Sequence, residues 1–253
     1  MTTLPTPGQV ILIRVAADHS FGHWNGPCNP VTGDFVYVPI PQQNKPNAEG
    51  MDREYVPMVS RALRAFSTRN GVDVSLPEHL YGQSMHLDPD FDHLTYGDTA
   101  QRGRKLLRFR ENDWVVFYSG LRSIHGGSRL IYGLIGLLVV DSVRQVSAIP
   151  ASEYDHNAHT RYLQKNGDDI VVTGKPGVSG RFASYLDIGK FRNGSYRVRL
   201  DVLEAWGGLG VKDGWIQRSA NPPLFLDPIR FAKWLQAMKV RLLAANNPDG
   251  SAV

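Results

Sequence analysis

His86, Asp88 and Asp90 occupy alternate positions, and an extended backbone turns every second side chain to one face. An imidazole and two carboxylates brought together in this way carry the donors of a divalent-ion site. Histidine with carboxylates suits manganese, iron or zinc, whereas carboxylate oxygen alone suits magnesium. Asp92 and His93 add further donors immediately afterwards. The same groups could act as acid or base at a substrate. They could equally build a turn, since Asp side chains accept from nearby backbone N–H groups and Pro89 fixes a dihedral and interrupts a regular strand. The motif alone leaves all three open.

A second concentration of polar residues lies early in the chain. Arg14 is followed by a loop, Asp18 to Gly33, that holds Asp18, His19, Ser20, His23, Trp24, Asn25 and Asn29 among three glycines. Ser20 beside His19 or His23 imitates a nucleophile and base, although adjacency in a glycine-rich loop is weak support for such a pair. Cys28 is the only cysteine, which excludes an intrachain disulfide and a cysteine-rich metal centre, and a small buried thiol is its commoner role. Phosphate-binding GxxxxGK[ST], dinucleotide-binding GxGxxG, HExxH and GxSxG motifs do not occur.

The elements that must position these groups follow from hydrophobic pattern. Val10 to Ala17 reads as an opening strand, Phe35 to Ile40 as a second, and Thr32-Gly33-Asp34 as a hairpin turn. Val56, Val59, Leu63 and Phe66 recur at helical spacing within Asp52 to Thr68, with Pro57 tolerable only in the first turn. Trp114 to Tyr118 and Leu130 to Val140 read as neighbouring central strands joined by a loop from Arg122 to Arg129. Ile170 to Val172, Phe182 to Ile188 and Tyr196 to Leu203 are shorter strand candidates. Asp227-Pro228 is a cap followed by a first-turn proline, and the stripe Ile229, Ala232, Leu235, Met238 and Leu242 extends a terminal helix to about Ala244. The expected fold is α+β: a strand-rich, β-barrel-like core with a few flanking helices and a C-terminal helix. It forms one domain over residues 10–245, followed by a disordered tail over 246–253.

The 253 residues suffice for a sizeable core, and 42% hydrophobic with 21% charged residues is ordinary for a folded chain. The most apolar stretch, Leu130 to Val140, is half the length of about 20 residues that a membrane span requires. No basic, apolar leader precedes it, so a cytoplasmic protein without a membrane partner is expected. The net charge of +4 permits contact with phosphate. Arg102, Arg104, Lys105, Arg108 and Arg110, interrupted by Leu106, Leu107 and Phe109, form either a solubilising face or a phosphate contact. Trp24, Tyr118 and Trp215 adjoin polar segments and offer stacking surfaces, though packing in the core is the commoner fate of each.

Several of these segments also occur together in a known order. Ile13-Arg14, Asp18-His19-Ser20, Asn29-Pro30, Val38-Pro39-Ile40-Pro41 and His86-Leu87-Asp88-Pro89-Asp90 resemble the nucleotide modification associated domain of the third type. Asn112-Asp113 with the strand to Gly120, Ile131-Tyr132-Gly133, Gly180-Arg181-Phe182 and Arg218-Ser219 extend the resemblance to about Asp227. The chain departs from that pattern at Val15-Ala16, where a lysine and a glycine are expected, and at Asn112, where a glycine is expected. The central strand pair is also similar to barrel strands of the pseudouridine-synthase-associated (PUA-like) superfamily, which includes modified-base readers.

The resemblance implies a place among bacterial and phage systems that modify or recognise modified nucleic-acid bases, with a nucleic acid or nucleotide as partner. Two functions fit it. In the first, a base-modification factor has a pocket of Arg14, Asp18, Ser20, Asn29, His86, Asp88 and Asp90. Arg14 meets phosphate, Asn29 reads a base edge, and the carboxylates act as bases or metal ligands. Trp24, Tyr118 and Arg218 complete the substrate contacts. In the second, a non-enzymatic reader holds a modified base in an aromatic cage with a basic rim, and His86 and its neighbours only shape a loop.

Overall fold

The computed structural model describes residues 3–162, 168–217 and 221–248. The first half of the chain holds β1 (Val10–Arg14), β2 (Pro27–Cys28), β3 (Ile40–Pro41), α1 (Tyr55–Asn70), β4 (Met85–His86), β5 (Thr95–Asp98), α2 (Ala100–Leu106) and β6 (Trp114–Ser123). The second half holds β7 (Ile131–Gln145), α3 (Ala158–Arg161), β8 (Ile170–Gly174), β9 (Gly180–Asp187), β10 (Gly189–Arg192) and β11 (Ser195–Val198). It closes with α4 (Leu200–Ala205), α5 (Pro228–Ala237) and β12 (Leu242–Leu243).

The apolar run after Asp113 becomes β6, which lies between a parallel β1 and an antiparallel β7. Their central stretches, Val10–Ile13, Trp114–Tyr118 and Leu134–Val140, are buried and apolar because both sheet faces are covered there. Ile11, Ile13, Val115 and Phe117 enter one core cluster, and Val10, Leu12, Trp114 and Val116 enter another on the opposite face. A register shift between Phe117 and Tyr118 places Ile135 as an extra residue in β7, so Leu134 and Ile135 serve different faces. Long β7 then pairs along its first half with β9 and along its second half with β8, which in turn pairs with β5. The order β1-β6-β7-β8-β5 leaves β1 and β5 as separate ends. The α+β class therefore holds, but among the described residues the sheet is open. The barrel suggested by the PUA-like similarity does not form.

Helix α1 buries Tyr55, Val59, Ala62, Leu63 and Phe66, and Gly71, at φ 63°, ends it in the left-handed conformation that glycine tolerates. Pro57 sits in its first turn as expected. Val56 points outward at 44% exposure, one position out of phase with the buried stripe. This helix packs against Val36, Val38 and Met85. Since Met85 faces α1, its neighbour His86 faces the opposite way.

Three expected elements differ. The terminal helix stops at Ala237, because Lys239 takes φ 51° and sends Leu242 and Leu243 into pairing with Phe182 and Arg181. Tyr196 to Leu203 divides into β11 and α4, where Arg199 pairs with Asp187 and the helix begins at Leu200. Phe35 to Ile40 contributes a single bridge at Phe35 and the two-residue β3, while Gly33, at φ 75°, makes the expected turn. Asn246 and Asn247, placed by sequence in a disordered tail, are held instead. Asn246 Nδ2 donates to Asp90 Oδ1 and Asp92 Oδ2, and Asn247 pairs with the Tyr37 backbone. Among the described residues, no helix is long and apolar enough to cross a membrane.

Candidate active site

His86 leaves β4 on the face away from α1, and its Nδ1 lies 2.8 Å from Gln42 Oε1, just beyond β3. The Nδ1–H donates there, which orients Nε2 inward. Asp88 follows two residues later. Its Oδ1 accepts from the backbone N–H of Gly97 on β5 at 2.8 Å and from Asn157 Nδ2 at 3.0 Å. Asn157 also caps α3, accepting from the His159 N–H through its other side-chain atom. One asparagine thus fixes the carboxylate and the start of the helix that carries His159. The His159 ring donates from Nδ1 to Asp169 Oδ2 at 2.8 Å, again turning Nε2 inward.

The three inward atoms converge. His159 Nε2 is 3.7 Å and His86 Nε2 is 4.0 Å from Asp88 Oδ2, and one donor atom from each residue lies within 4.8 Å of the others. Gly97 permits this approach, since a Cβ there would stand 2.3 Å from His159 Cδ2 and 2.7 Å from Asn157 Oδ1. Burial drives the His86 pKa down to about 3, assisted by the charges of His159 and Arg161. Burial also raises Asp88 to about 7, against the pull of His159 and of the bonds from Gly97 and Asn157. Burial disfavours the His159 cation, but the hydrogen bond to Asp169 and the charge of Asp88 outweigh it and raise that pKa.

These groups form the floor of a cleft of about 400 Å³ whose wall includes Arg14, Gln42, Tyr96, Asp98 and Arg102. Asp98 accepts from Tyr96 Oη at 2.6 Å and from Arg102 Nε at 3.0 Å, so the carboxylate aims the arginine at the rim. Arg14 pairs with Asp18 at 3.1 Å and lies over the Tyr132 ring at 5.1 Å.

Of the residues chosen from sequence, Arg14, His86 and Asp88 share this cleft, and Asp18 stands behind Arg14, accepting from Ser20 N and Phe21 N. The others lie elsewhere. Asp90 does not share a face with His86 and Asp88, because β4 ends at His86 and the following turn closes through an Asp90–Thr95 bridge. Its carboxylate caps Asp92 N and meets Arg161, His93 and Asn246. Burial opposes that charge, yet His93, Arg161 and Asn246 hold the Asp90 pKa down at about 2. Asn29 caps Val31 N and donates to Asn70 at the end of α1. Trp24 packs in the α1 cluster, and Tyr118 is buried with its hydroxyl on the Ile216 carbonyl. Ser20 is exposed and outside the cleft wall, and Arg218 lies outside the described residues.

Sequence reasoning missed Gln42, Gly97, Asp98, Asn157, His159 and Asp169. Only the run His156-Asn157-Ala158-His159, with Asp169 following, carried a readable signal, a pair of histidines at i and i+3. Arg102 is the member of the basic run that stands at the cleft.

No curated protein and no solved structure matches the chain. The family model described as nucleotide modification associated domain 3 matches residues 9–204, a span that contains every cleft residue named above. The chain therefore belongs to the nucleotide modification associated domain 3 family.

Proposed function

We propose that the cleft is an active site for the modification of nucleotide bases, and that it takes a nucleotide or one nucleotide of a nucleic acid. Its phosphate meets Arg14 and Arg102, and its base or sugar reaches His86, Asp88 and His159. The observation that carries this is the pairing of two guanidinium groups on the wall with three convergent polar side chains on the floor of one cleft. A volume of about 400 Å³ suits a ligand of that size. Beside the cleft, α2 and the turn after it expose Arg104, Arg108 and Arg110 while burying Gly103, Leu106 and Phe109, a basic face that suits a longer polynucleotide.

The reader function has less support. Of its cage residues Tyr118 is buried in the core and Trp24 packs half-buried against the α1 cluster, and the aromatic rings of the cleft wall are Phe21 and Tyr96. Binding of a nucleoside monophosphate, a single-stranded oligonucleotide and duplex DNA to wild type, Arg14→Gln and Arg102→Gln tests the proposal. Nucleosides recovered after incubation are then analysed by mass. At least one of the three ligands should bind, with a loss of about tenfold in each variant, and Asp88→Ala should stop conversion while binding persists. Absence of binding to all three, or equal binding by the arginine variants, overturns it.

A further inference from the structure

We propose that His86 Nε2, Asp88 Oδ2 and His159 Nε2 bind one divalent first-row transition ion at the floor of the cleft. This deepens the nucleotide proposal by naming what the floor holds, and its test uses no nucleotide. Three features of the side chains point to an ion rather than to a packed polar cluster.

The first is direction. Both outer ring nitrogens are taken, by Gln42 and by Asp169, and the outer carboxylate oxygen is taken by Gly97 and Asn157. The three remaining atoms face one point, and among the described residues none of them has a hydrogen-bond partner. A carboxylate behind a ligating imidazole, as Asp169 stands behind His159, is the usual second support of a metal-bound histidine.

Spacing is the second. Separations of 3.7 and 4.0 Å are too long for hydrogen bonds. Tetrahedral ligand atoms at about 2.0–2.2 Å from an ion stand about 3.4 Å apart, so these two pairs need to close by only some tenths of an ångström, and the third pair lies within 4.8 Å. Burial completes the case, since Asp88 and His159 are 9% and 6% exposed, and carboxylates at such depth are paired or coordinate a metal.

Two imidazoles with one carboxylate favour manganese, iron, cobalt or zinc over magnesium, which prefers oxygen ligands. Three protein ligands leave further coordination positions, and these open toward the cleft. A ligand there meets both the ion and the arginine wall.

Chelator-stripped protein, titrated separately with Zn(II), Mn(II), Co(II) and anaerobic Fe(II), is passed through a desalting column and its metal content measured. Wild type should retain close to one equivalent of at least one ion, and Co(II) should give a visible absorption band. His159→Ala and Asp88→Ala should retain none, and His125→Ala, on the exposed loop between β6 and β7, should match wild type. Two milder variants guard against misfolding. Asp169→Asn keeps all three ligands and should weaken affinity about 10- to 100-fold. Gly97→Ala should displace His159 and do the same, with far-ultraviolet dichroism reporting the fold of both. Failure of stripped wild type to retain any of the four ions overturns the proposal, as does full retention by the doubly substituted Asp88→Ala, His159→Ala protein. Metal uptake without nucleotide binding would leave this site standing and remove only the nucleotide proposal.

Discussion

Asp88 and Asp90 are two residues apart and of one type, yet they serve opposite sides of a turn. Asp88 faces the cleft, where, among the described residues, hydrogen bonds reach only one of its oxygens. Asp90, 1% exposed, is paired with fully buried Arg161 and bonded to His93 and Asn246. Removing one member of such a pair strands the other charge at depth, at a cost of about 3–5 kcal/mol. Arg161→Met should therefore lower unfolding free energy by up to that amount in urea titrations, since His93 and Asn246 still bond Asp90. Asp90→Asn in the same chain should restore part of it, because no uncompensated charge remains. A single Arg161→Met that unfolds at the wild-type midpoint would show that the pair contributes nothing.

At the scale of elements, helix phase is what divides tolerated from damaging substitutions on α1. Val56 points to solvent while Val59, one turn on, is 1% exposed and packed against the strands that carry His86. Val56→Glu should shift the thermal midpoint negligibly, whereas Val59→Glu buries a carboxylate without a partner and should cost several kcal/mol. Equal effects of the two would mean that the helix lies in another register. The sequence made α1, β6 and β7 readable because their patterns are long and local. Parity of side chains was readable too, but only as far as the extended backbone continued. Alternation placed His86 and Asp88 correctly and failed at Asp90, where the strand had already become a turn. His159 and Asp169 were beyond reach for a different reason. His159 joins the cleft through the cap of a four-residue helix, with Asp169 brought behind it by the pairing of β5 with β8, and neither contact leaves a periodic trace. The terminal helix was extended too far because Leu242 continues an apolar stripe that Lys239, in a left-handed conformation, interrupts.

For the whole molecule, burial of weakly acidic side chains sets how stability responds to alkali. Burial pushes the Cys28 thiol from 9.0 up to about 12, against a counter-pull from Tyr185. Tyr162 rises from 10.0 to about 12 by burial and its hydrogen bond to Asp52. Both groups hold their protons more tightly in the folded chain than in the unfolded one. Their stabilisation is complete below the unfolded values of 9.0 and 10.0 and is lost as pH rises toward 12. Urea midpoints should consequently fall between pH 9 and 11, with Cys28 inert to thiol reagents at pH 8 until the chain unfolds. A midpoint that stays level or climbs over that range would contradict the assignment.

Asn246 gives the molecule one property that its family boundary hides. The matched span ends at residue 204, but the turn between Asp88 and His93 leans on Asn246, and β9 leans on β12. Gene fragments trimmed to the matched span would delete both supports along with the bridge from Leu224 to Ile11, so excision at that boundary cuts through a working part. For cloning, a fragment that keeps these contacts runs at least to codon 247.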